Sequence, residues 1–104
     1  MKKILYDSEI EKFLSSLQKP AIAKVIQTMA LLEEFGERLT MPHSKKIQKN
    51  LFELRVGGSQ KVRIFYTFHK NGIFLLHGFV KKTSKIPKKE MDVTLRKLKQ
   101  FDMI

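Results

Sequence analysis

Residues 53–66 read ELRVGGSQKVRIFY. Two apolar and β-branched runs flank a Gly-Gly-Ser break, which predicts a hairpin between strands Leu51–Val56 and Val62–Phe68. Side chains alternate along a strand, so Leu54 and Val56 share a face, as do Val62, Ile64, Tyr66 and Phe68 on the next strand. If both sets bury against the same helices, a Gly58-Ser59-Gln60 loop places Arg55 opposite Arg63. Like charges directly opposite destabilise a sheet by up to ~1 kcal/mol. Two compensating groups are open at this point: the carboxylate of Glu53, or the phosphate of a bound ligand. One carboxylate cannot neutralise two arginines, which favours the phosphate.

Outward toward the C-terminus, Asn71-Gly72 separates the second strand from the apolar run Ile73–Val80 and predicts another hairpin. A turn at these two residues sets Arg63 opposite Val80, Phe65 opposite Gly78 and His77 opposite Tyr66. Lys82 then lies one step beyond Val80, beside the arginines. The expected polar face holds Arg55, Arg63, Phe65 and Lys82. Phe65, facing a glycine, reads either as an exposed platform for stacking a base or as a side chain packed on a loop. His77 falls on the apolar face, where it reads first as a hydrogen-bonded core histidine and second as an acid or base.

Residues 2–6 (KKILY) form a short strand pattern, and Ser8 with Glu11 forms a capping box that starts a helix. Ile10, Phe13, Leu14 and Leu17 recur at helical spacing. Pro20 opens a second helix that buries Ile22, Val25, Ile26, Met29, Leu32 and Phe35, and Gly36 closes it. Residues 38–50 carry no periodic pattern and read as a loop. Pro87 stands at the first position of a C-terminal helix with Met91, Leu95, Leu98 and Phe101 facing inward. The expected fold is α+β, a single domain over 1–104 in the order β-α-α-β-β-β-α. An antiparallel-rich sheet is packed by an N-terminal helical hairpin and a C-terminal helix.

The formal net charge is +11, and residues 45–104 carry the whole excess. Self-repulsion of that size points to a polyanionic partner, with nucleic acid ahead of acidic lipid or an acidic protein. There is no cysteine, and His43, His69 and His77 lack metal-ligand spacing, so neither a metal nor a cofactor is expected. No apolar run approaches the length of a membrane span, and acidic residues follow the N-terminal lysines too soon for a secretory signal. A cytoplasmic protein is expected.

The segments FLSSL, LFELRV, VRIFYTF and above all FLLHGFVKKTSKIPKKE resemble the RelE/ParE toxin superfamily, and within it the HigB-like, phage-derived branch. The resemblance spans essentially the whole chain. It implies a type II toxin that cuts mRNA in the ribosomal A site, contacts ribosomal RNA and pairs with a helix-turn-helix antitoxin. In RelE-like toxins an arginine on the strand matching Val62–Phe68 serves catalysis, which falls on Arg63. Basic residues at the end of the last strand do so too, and they fall near Lys81 and Lys82. The sequence departs from RelE in carrying Glu53 where RelE has a lysine, and in lacking its C-terminal tyrosine.

Metal-free RNA cleavage needs a base for the 2′-hydroxyl, cations for the transition-state phosphate and an acid for the leaving oxygen. Arg63, Arg55 and Lys82 are the expected catalytic cations. Lys61, Lys81, Lys85 and Phe65 are expected to bind RNA, and Glu53 and His77 are further acid–base candidates. A lysine crowded by cations, at 81, 82 or 85, could also act as base. KKTSKIPKK reads equally as a loop that only binds phosphate. Three functions stand: a ribosome-dependent mRNA endoribonuclease, a ParE-like gyrase inhibitor that cuts nothing, and a non-catalytic basic RNA-binding module.

Overall fold

The computed structural model describes residues 2–103. Strand β1 (Lys3–Leu5) leads into helix α1 (Ser8–Ser15). The N-cap of α1 is Asp7, not the expected Ser8: the Ile10 N–H donates to Asp7 Oδ1 at 3.0 Å, satisfying a free first-turn donor. Helix α2 (Lys19–Phe35) starts over Pro20 and ends at Gly36, whose φ of 54° suits a residue without Cβ and whose N–H bonds Leu32 O. Its buried line is Ala21, Val25, Thr28 and Leu32, rotated from the expected stripe. Ile26 is therefore 62% exposed and Phe35 39%. The Thr28 hydroxyl is buried without cost because it donates to Lys24 O at 2.9 Å.

Five strands form one mixed sheet in the order β1-β5-β4-β3-β2. Strand β2 (Ser44–Gln48) lies inside the stretch read as a loop. Its exposed residues are Lys45, Lys46 and Gln48, the guarding composition of a sheet edge, which erases the alternation that marks a strand. Strands β3 (Leu51–Val56), β4 (Val62–His69) and β5 (Gly72–Val80) run antiparallel, and β1 pairs parallel to β5. The α+β order therefore gains one strand over the sequence expectation.

Helices cover both faces. On one, α1 and α2 bury Leu54, Val56, Val62, Ile64, Tyr66, Ile73 and Leu75. The Phe13 ring lies so close to β5 that a Cβ on Gly78 would meet it at 2.6 Å, so position 78 admits only glycine while α1 sits there. On the other face, helix α3 (Lys88–Lys99), capped by Pro87, covers Leu51, Phe65, Leu76 and Phe79 with Met91, Leu95 and Leu98. Strand β4 is thus buried on both sides, which explains its nearly unbroken apolar run. Burial also pushes the Tyr66 phenol above its usual range, against a hydrogen bond with Ser44.

Candidate functional site

The β3–β4 pairing is the expected one: Arg55 faces Arg63, and Val56 faces Val62. The β4–β5 pairing is not. The turn residues are Lys70 and Asn71, with Lys70 at φ 55°, and Gly72 is already in β5. A shift of the turn alone moves pairs by two and leaves every side chain on its expected face. A bulge at Leu76 adds one residue more, and that flips the faces from His77 onward. Phe79, not Val80, faces Arg63, and His77 faces Phe65, not Tyr66.

The face beneath α3 therefore carries successive rows across β3, β4 and β5. The inner row is Glu53, Phe65 and His77; the next is Arg55, Arg63 and Phe79. One bond farther, the Lys81 N–H donates to Lys61 O at 2.7 Å, so alternation brings Lys61 and Lys81 to the same face at the rim. Lys81, rather than Lys82, continues the arginine face. Lys82 and Lys85 are exposed on the loop after β5, and Lys82 lines an open cleft with Lys61 and Lys81.

Arg63 is only 7% exposed. Its Nη1 donates to Val62 O at 3.0 Å and reaches Val56 O at 3.5 Å, while its Nε is buried without a partner. Burial pulls the guanidinium below its usual pKa, Arg55 adds to that, and Glu53 opposes it. Glu53 is 2% exposed, with Oε1 3.6 Å from Arg55 Nη1 and Oε2 unpartnered. A carboxylate so enclosed cannot reach a substrate hydroxyl, which moves Glu53 from acid–base candidate to counterion of the arginines. The cluster keeps one positive charge in excess.

Phe65 is fully buried, stacked on Phe79 at 5.9 Å, so the exposed base platform is corrected to a core side chain under α3. The face expected for His77 is corrected as well. Its Nε2 lies 2.8 Å from Glu90 Oε1 of α3, its ring stacks on Phe79, and about a fifth of its side chain reaches solvent. Cross-strand diagonals are about 7–8 Å apart between Cα atoms, which makes His77 a neighbour of Arg63. Glu90 escaped the sequence reading. The signal that finds it is its place in the first turn of a helix predicted to pack on the sheet, which points its carboxylate at β5.

Residues 12–99 match the family model described as phage derived protein Gp49-like (DUF891). The chain belongs to this family. The Gp49-like family is part of the RelE/ParE-like toxin superfamily, and a toxin of this kind implies an antitoxin partner. No curated protein matches the chain. The family is toxin-like and phage-derived, compatible with the toxin of a toxin–antitoxin pair. Among the described residues no helix is long and apolar enough to cross a membrane, and no three His, Cys, Asp or Glu side chains gather to hold a metal.

Proposed function

We propose that this protein is the toxin of a type II toxin–antitoxin pair of the HigB-like branch, acting as a ribosome-dependent, metal-independent mRNA endoribonuclease. The observation that carries the reading is the Arg55–Arg63 pair with a single enclosed carboxylate, next to a histidine oriented by Glu90. Arginine is always charged and bidentate toward phosphate, so Arg55, about a quarter of whose side chain is exposed, holds the scissile phosphate, and the buried Arg63 beside it adds the positive field that stabilises the developing negative charge. With Nε2–H donating to Glu90, His77 Nδ1 takes the proton of the attacking 2′-hydroxyl. The 2′-oxygen bonds to phosphorus, the bond from phosphorus to the 5′-oxygen breaks, and that oxygen takes a proton from water in the open cleft. A 2′,3′-cyclic phosphate and a 5′-hydroxyl result. Lys81, Lys82, Lys61 and Lys85 add charge along the strand's path.

The cleft beside these groups is an open basin rather than an enclosed pocket. An open site does little to align attacking oxygen, phosphorus and leaving oxygen, and good alignment contributes on the order of 7–11 kcal/mol. The ribosomal A site supplies it in this reading. The test compares one mRNA, free and in a programmed 70S complex with a vacant A site. Cutting should require the ribosome, disappear in Arg63→Ala and fall by roughly 10²–10⁴-fold in His77→Asn. Equal cutting of free mRNA sinks ribosome dependence. Binding without cutting in both settings leaves an RNA-binding module, and neither binding nor cutting moves the gyrase-inhibitor reading to first place.

A further inference from the structure

We propose that Lys61 and Lys81 form a second phosphate subsite at the rim of the sheet. It takes the phosphate adjacent to the one at Arg55 and Arg63, so the face binds two consecutive phosphates of one RNA strand. The inference rests on the proposed function only in taking RNA as the ligand.

The two cationic rows are consecutive on one face. Arg55 faces Arg63, and the Lys81 N–H to Lys61 O bond sets Lys61 beside Lys81 in the next row. Each row opposes like charges, an arrangement that is unfavourable unless an anion lies over it. The arginine row has Glu53 beside it. The rim row has nothing comparable, since no described carboxylate pairs with Lys61, Lys81 or Lys82. Its uncompensated charge exceeds that of the arginine row.

Three features fit this row to a phosphate. Its lysines share an open cleft with Ser59, Ser84 and Lys82, so hydroxyl donors stand beside the ammonium groups. The Arg63 guanidinium leans toward it, since Nη1 meets the carbonyls of Val56 and Val62, the pair between the two rows. Gly57, just past the end of β3, carries no side chain and has nothing within 4 Å of where a Cβ would lie, so the end of β3 leaves the rim uncovered.

Spacing decides the ligand. Residues two apart on a strand are separated by about 6.6 Å, the scale of one sugar–phosphate step in an extended single strand. Two anion positions so placed suit consecutive phosphates, and the flat, open rim admits a strand passing across it.

The experiment uses uncleavable 2′-O-methyl RNA, a dinucleotide with one phosphate and a trinucleotide with two, titrated at low salt and followed by NMR. In the wild-type protein the trinucleotide should bind about 10-fold tighter than the dinucleotide, the scale of one added charge-assisted contact. The Lys61→Gln/Lys81→Gln variant should bring that ratio to about one. Its slope of log affinity against log salt should fall by about 0.7, one phosphate's share on a single strand. An equal ratio in wild type and the lysine variant overturns the subsite, as does a wild-type ratio of one. A short glutamate peptide that gains as much from the two lysines as the trinucleotide does assigns the row to an acidic protein and overturns it too. Because binding is read off the ribosome, a protein that shows the subsite yet never cuts mRNA defeats the nuclease reading alone.

Discussion

Glu53 offers one oxygen to Arg55 at 3.6 Å and keeps the other unpartnered in a protein interior that contains two arginines. Replacing it by glutamine retains the shape and removes the only negative charge in the cluster. The cost of leaving buried charged groups without a partner is about 1–3 kcal/mol or more, so Glu53→Gln should melt well below wild type. An anion that occupies the same face should restore part of the loss. The expected result is that added inorganic phosphate raises the melting temperature of Glu53→Gln more than that of wild type. An equal response in both proteins would show that Glu53 is not the arginines' counterion. The arginine pair itself was legible in the sequence, because alternation and the hairpin loop fix which side chains face each other. The depth of Arg63 and the enclosure of Glu53 were not, since both follow from where α3 lies.

At the scale of elements, most of the fold was legible, and the misses share a cause. The two N-terminal helices, the three long strands and the last helix follow from periodicity and turn residues. Strand β2 hid because its lysines serve the edge rather than the pattern. The bulge at Leu76 hid because an inserted residue has no composition signal inside an apolar run, yet it decides which face His77 and Lys81 take. The start of α1 was misplaced by one residue for a reason that can be tested. Asp7 caps the helix and also accepts from Lys97 Nζ at 3.1 Å, joining the end of α3 to the start of α1. Burial pushes its carboxyl up, but the Ile10 amide and Lys97 outweigh this and hold it below its usual pKa. A carboxyl whose pKa is lower in the folded chain stabilises above its unfolded pKa and loses that contribution as pH falls through the folded value. Asp7→Ala should therefore cost about 1 kcal/mol at neutral pH. The gap between the two proteins should close in strong acid, as thermal melts across pH would record. A gap that stays constant would mean that the carboxylate charge contributes nothing.

Across the whole molecule, the charge is divided: an electroneutral N-terminal portion supports a strongly cationic remainder. An antitoxin that silences the protein has a predominantly cationic portion to recognise. Co-expression with the product of the adjacent gene should restore growth and yield a stable complex. If no neighbouring product binds or rescues, the toxin–antitoxin pairing fails. The sheet's connectivity also imposes an order in time. Lys3 of β1 pairs with Gly72 of β5, so the first strand to leave the ribosome has no partner until nearly seventy further residues have been made. At 5–20 residues per second this wait lasts roughly 4–14 s. The cationic rows need β3, β4 and the end of β5, and helix α3, which covers the apolar residues beside them, is made later still. A chain interrupted before β5 thus exposes its apolar helices, a burden for chaperones, and still lacks His77 and Lys81, so the cationic face is completed only late in synthesis.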